Sequence, residues 1–187
     1  MIFGFYCSFP CHCSFYAVAW KVAIEAEDHP SALVLSRQTL AHCDRLDEQL
    51  QLIQKGAYLL RETSHPSLIV IATGSEVELA SQLCDRLDEE NHQVNLVSMP
   101  CAEAFDRQPQ SYRETVLAPA VPKLVIEAGK SDWWYRYIGT DGAIIGIDTF
   151  GASAPGKDLF EHFGFSVENI YATAQSLIKQ HHRSIND

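Results

Sequence analysis

Positive charge is scarce in this sequence. Lys and Arg number 14 against 24 Asp and Glu in 187 residues, a formal charge of −10. Such a surface repels phosphate backbones and anionic lipid, which argues against nucleic-acid and membrane partners and leaves room for a local basic pocket around one anionic metabolite. Cysteine is also too sparse for a disulfide scaffold: six residues, scattered, with no C-x-x-C among them. They read as reduced, partly buried thiols of a cytoplasmic protein. No repeat of 20–50 residues and no low-complexity run is present. The length suits one ordinary domain, or one domain with a fragment attached, and needs neither disulfide nor structural metal to hold a core.

The first twenty residues lack Asp, Glu, Lys and Arg altogether and are rich in Phe, Tyr and Cys. A secretory signal would need a positive start, and Ser8, Pro10, His12 and Ser14 interrupt the apolar run. The same Pro and His make a membrane span unsuitable. Cys7, Cys11, His12 and Cys13 include metal-ligand types, but the adjacent Cys-His-Cys suits tetrahedral zinc poorly. The segment reads as an extension with no packing pattern of its own.

Beyond it, Ala17–Ala26 has helical spacing and stops at Asp28-His29-Pro30. Ala32-Leu33-Val34-Leu35 reads as a short buried strand, and Leu46, Leu50 and Ile53 as a helix ended by Gly56. Strands are expected at Ala57–Glu62, Leu68–Ala72, Val94–Val97, Leu124–Ile126 and Ala143–Ile147. An amphipathic helix opens after Thr73-Gly74-Ser75, and a closing helix spans Ser166–Gln180 with Ser166 as N-cap. Continuous apolar strands alternating with helices predict a largely parallel sheet covered on both faces, with ligands at the carboxyl ends of its strands.

Several of those ends carry candidate chemistry. Gly74 and Ser75 could seat an anion at a helix start, but Ser75 with Glu78 three residues on reads better as a capping box. Gly151-Ala152-Ser153-Ala154-Pro155 has Pro where a nucleophile elbow needs Gly, and reads as a turn that opens a helix. Gly139-Thr140-Asp141-Gly142 reads as a hairpin-like turn. Trp133, Trp134, Tyr135 and Tyr137 read as core or subunit interface. Arg37, at the carboxyl end of an apolar strand, has the right group for bidentate phosphate recognition, with a structural ion pair as the competing account.

Taken in order, these motifs resemble the transketolase family. Ala32–Gln38 resembles the last strand and loop of that family's middle, pyrimidine-binding domain, and Ile71–Val77 the opening of its C-terminal domain. Val97–Pro100, Val125–Gly129, Trp133–Tyr135 and Thr149–Pro155 follow in the family's order, so the resemblance covers about Ala17 to Leu177. It implies a fold of three layers, α/β/α, around a mixed, mostly parallel five-stranded sheet. The first strand, Ala57–Glu62, would be antiparallel, and a fragment of a second α/β domain would precede the sheet. The implied parts are an extension over 1–16, a middle-domain remnant over 17–43, a linker helix over 44–56 and the C-terminal domain over 57–187. Met1–Phe15, lacking the family's pattern, suggests a truncated or frameshifted gene or a mistaken start codon.

The resemblance further implies a homodimeric transferase that moves a two-carbon ketol unit between sugar phosphates in the pentose phosphate pathway. Its cofactors would be thiamine diphosphate and a divalent cation, Mg or Ca. The family's diphosphate–metal motif and activating glutamate belong to earlier domains, so this chain is expected to hold no cofactor, metal or catalytic residue and to be inactive alone. Of the family's substrate contacts, the arginine that binds the sugar phosphate maps onto Arg37. The competing expectation is a freestanding binding or oligomerisation module that keeps the fold without the chemistry.

Overall fold

The computed structural model describes residues 2–4, 13–35, 43 and 45–186, with the side chains of 17–35, 43, 45–181 and 183. Leu68–Ala72 has no polar side chain on either face, so it can only lie in the middle of a sheet covered on both sides. It does: all five residues are buried. In chain order the elements are β1 (Ile2–Gly4), α1 (Cys13–Glu25), β2 (Ala32–Val34), α2 (Asp47–Leu52), β3 (Tyr58–Arg61), β4 (Leu68–Ala72), α3 (Glu76–Glu89) and β5 (Val94–Ser98). Then come α4 (Ala102–Asp106), α5 (Gln110–Leu117), β6 (Lys123–Ile126), α6 (Tyr135–Ile138), β7 (Ala143–Ile145), α7 (Gly156–His162) and α8 (Val167–Asn186).

The main sheet has the order β3-β5-β4-β6-β7. β3 runs antiparallel to β5, and the remaining pairs are parallel. Alternate side chains of each strand feed two cores. Leu68, Val70, Leu96 and Leu124 pack with Leu83 and Leu87 of α3 and with Ile170 and Ala174 of α8. Ile69, Ile71, Val97 and Val125 pack on the opposite face with Phe105, Val116, Trp134 and Tyr137. Helices therefore cover both faces, giving the expected three layers. Ser166 caps α8, its hydroxyl accepting the Asn169 N–H at 3.3 Å.

α2 passes into a 3-10 turn over Ile53–Lys55 that ends at Gly56, where the backbone is left-handed (φ 88°). A Cβ there would sit 2.2 Å from the Cys101 carbonyl oxygen and 2.4 Å from the Phe105 nitrogen. Only glycine meets both demands. The Gly56 carbonyl accepts the Cys101 N–H at 3.0 Å, which fixes this turn to the start of α4.

Three expectations need correction here. Ile2–Gly4 is not an unpaired extension: its backbone pairs parallel with Ala32–Val34. The β2 run is not buried. Leu33 turns in toward Ala19, Cys101 and Ala104, but Val34 is 45% and Leu35 51% exposed, because among the described residues no layer lies on the outer face. The Gly139–Gly142 turn does not make a hairpin, since it carries the chain from α6 into β7, which runs parallel to β6.

Candidate functional site

The chain leaves β4 for β5 on one side and then returns across β4 to β6 on the other. The β4–β6 boundary is thus the point where strand order reverses, and its carboxyl end is the crevice that such sheets use for ligands. Ala72 and Ile126 are register partners at that end. Thr73 and Glu127 come next on each strand, followed by the Gly74-Ser75-Glu76 turn and by Ala128-Gly129.

The β4 turn differs from the capping box expected of it. Ser75 has helical backbone angles (φ −65°, ψ −26°) and makes no side-chain cap. An N-cap side chain reaches the first-turn N–H groups from an extended backbone. From its helical position the Ser75 hydroxyl instead donates to Glu76 Oε1 at 2.8 Å. Gly74 takes a left-handed φ of 59°. The first-turn N–H groups are already engaged, Glu76 with the Thr73 carbonyl at 3.2 Å and Val77 with that of Gly74 at 3.4 Å. Beside Ser75 opens a cleft of about 880 Å³ between α3, α7 and the start of α8, whose charged lining is Glu78, Glu161, Glu168 and Lys157. Three carboxylates against one ammonium suit an anion poorly.

Two glutamates stand at the crevice itself, and neither was singled out from the sequence. Glu76 has no exposed surface, and its Oε2 lacks a hydrogen-bond partner. Burial pushes its carboxyl up to about 7, against the pull of the Ser75 hydroxyl. Glu127 is pushed up to about 8, first by burial and then by the charge of Glu76. Its side chain folds back over Gly129, so that a Cβ on that glycine would lie 3.0 Å from Glu127 Oε1. Each follows an apolar strand closely, which is the only local signal that could have marked it.

Arg37 falls outside the described residues, as do Cys7, Cys11 and His12. Ser153 is exposed on the loop between β7 and α7, with Pro155 as the helix N-cap. The aromatic cluster divides: Trp134 and Tyr137 are buried, whereas Trp133 and Tyr135 are exposed. Arg136 covers the Trp133 ring at 3.8 Å. Asp148 accepts the Ser131 N–H at 3.0 Å and pairs with Lys130 at 3.8 Å, while Asp141 accepts the Thr140 hydroxyl. Among the described residues no group of three or more His, Cys, Asp or Glu could hold a metal ion. Cys84 and Cys101 are free and buried, and burial pushes both thiols up to about 12. No helix among the described residues is long and apolar enough to cross a membrane.

Comparison with known proteins adds a second line. The family described as "Transketolase-like TK C-terminal domain" matches residues 56–166. Transketolase 1 of Vibrio vulnificus is 53% identical over 171 residues, which is 90% of this chain and 26% of that protein. Among solved structures, transketolase from Leishmania mexicana superposes with a TM-score of 0.85 at 35% identity, over 96% of this chain and 25% of that one. A Pichia stipitis transketolase in complex with sedoheptulose-7-phosphate superposes at 0.83 and 29% identity, over 95% of this chain and 25% of its own. The chain spans about a quarter of the length of these relatives.

Proposed function

Because the chain belongs to the transketolase family, we propose that it is the C-terminal section of a thiamine diphosphate-dependent transferase of two-carbon ketol units between sugar phosphates, working with domains supplied from outside these 187 residues. The observation that carries this reading is the asymmetry of coverage: 90% of this chain aligns, yet only 26% of the relative. Ketol transfer needs a thiazolium to stabilise the carbanion, and that chemistry belongs to the cofactor. In this reading the cofactor and its divalent cation are held by the other domains. Arg37 holds the phosphate of the sugar, and the assembled enzyme is a cytoplasmic homodimer in the pentose phosphate pathway.

The test is reconstitution. The purified chain alone should show no ketol transfer from xylulose 5-phosphate to ribose 5-phosphate. Mixing it with a separately produced fragment of a close relative that ends just before the stretch matching Ala17 should restore turnover. In that mixture Arg37→Ala should weaken phosphorylated substrates by about 2–5 kcal/mol, the range for losing a charged partner, and hardly affect non-phosphorylated ones. Turnover by the chain alone would overturn the dependence on other domains. Failure of every complement to restore it would favour a freestanding module, and equal losses for both substrate classes would remove Arg37 from the phosphate.

A further inference from the structure

We propose that the segment Asp148–Pro155, carrying the Phe150 ring, is the surface on which the preceding part of the enzyme docks onto the sheet unit. The inference rests on the transferase reading above and commits to one occupant: the polypeptide that the relatives carry ahead of the stretch matching Ala17. All eight residues of the segment are exposed, and Phe150 is 99% exposed, more than Trp20 or Ile24. No hydrogen bond joins Thr149–Ala154 to another described residue. The segment is nonetheless held at both ends. The Asp148 carboxylate accepts the Ser131 N–H at 3.0 Å, and the Pro155 carbonyl accepts the Leu159 N–H at 3.1 Å. Phe150, Ala152, Ala154 and Pro155 thus present apolar surface from a tethered loop. Thr149–Pro155 is among the runs that carry the family resemblance, yet packing within this chain gives it no work. A large ring held in water beside unpaired backbone marks a surface built for contact.

Length and position identify the occupant. The chain accounts for 26% of a relative, so nearly three quarters of that protein lies outside it. The point of entry of the outside polypeptide is also fixed. α1, which holds Ala17, rests Ala19 on Cys101 and Ala104, just past the carboxyl end of β5. β5, β4, β6 and β7 all run parallel, so Phe150, past the carboxyl end of β7, lies at that same end of the sheet. β5 and β7 are three strand spacings apart, about 14 Å. A domain of 100 residues has a radius of gyration of about 13 Å, so one entering at α1 reaches across that distance. A second copy of this chain fits less well, because each copy carries a charge of −10 and the two repel.

The test is binding, read by calorimetry between the full 187-residue chain and the fragment of a close relative that ends just before the stretch matching Ala17. Phe150→Ala and Phe150→Asp should each weaken binding by about tenfold to a hundredfold, as loss of an aromatic anchor does. Both should leave the melting temperature of the chain unchanged, since the ring is exposed. Ser64→Asp, which adds the same charge at an exposed site ahead of β4 and so at the opposite end of the sheet, should leave affinity unchanged. Equal affinity for the unsubstituted chain and both Phe150 variants would overturn this inference and leave the transferase reading standing. No binding to the unsubstituted chain would overturn both. A dimer of the chain alone in sedimentation, dispersed by Phe150→Asp, would make a second copy the occupant and overturn the assignment.

Discussion

The segment over 13–35 and the unit from β3 to α8 are built on opposite terms. The latter fills both faces of its sheet, with long runs of wholly buried Leu, Ile and Val. Among its described side chains, 17–35, the former buries a single residue completely, Ala19, and does so against Cys101 and Ala104 of the other region. Trp20 and Ile24 point outward, 55% and 74% exposed. One region owns its core, and the other borrows a floor. The difference teaches that the sheet unit is the part whose stability is its own, and that the exposed aromatic and aliphatic face of α1 and β2 contributes little to it.

The largest effect that could break this comparison lies in the core. Phe105, wholly buried and 6.3 Å by ring centroids from both Tyr112 and Tyr137, should cost about 3–5 kcal/mol on replacement by Ala. Ile24→Ala should stay within about 0.5 kcal/mol. Both are read from urea unfolding, and similar losses at the two sites would erase the contrast. Gly56→Ala comes next. The left-handed backbone alone costs about 1–3 kcal/mol, and the clash with Cys101 and Phe105 adds to it. A neutral result would mean that the turn at Gly56 does not need its present path. The smallest effect is removal of residues 1–15. The melting temperature should not move within error, and solubility should improve as apolar surface is lost. A large fall would show that the β1–β2 pairing supports the sheet unit after all.

Much of the sheet was legible because its strands are fully buried. An apolar run with no alternation, such as Leu68–Ala72, has only one place to go, and its bounds are those expected. The same signal misled at Ala32–Leu35, because an apolar run reports what a strand would bury and says nothing of whether a covering layer is present. β1 was missed because Ile2–Gly4 is only three residues long, too short for alternation to show. At the site, Thr73-Gly74-Ser75 was correctly placed between strand and helix, but the role of Ser75 depends on one backbone angle pair that its identity does not fix. The Glu76–Glu127 pair was invisible for a different reason. That they follow neighbouring strands depends on β6 lying beside β4 rather than beside β5, and no local pattern encodes that order.

That strand order also sets a timetable. β4, α3 and β5 are consecutive and can associate as soon as they are made. β3 is synthesised earlier yet pairs only with β5, so it must wait across the whole of α3 for its neighbour. α1 waits longer still, since the Cys101 and Ala104 against which Ala19 packs follow β5. Loop closure of this kind delays non-local contacts and leaves apolar surface open meanwhile. During translation Ala19 stays uncovered until α4 has been made, while Trp20 and Ile24 on the same helix remain exposed even in the finished fold.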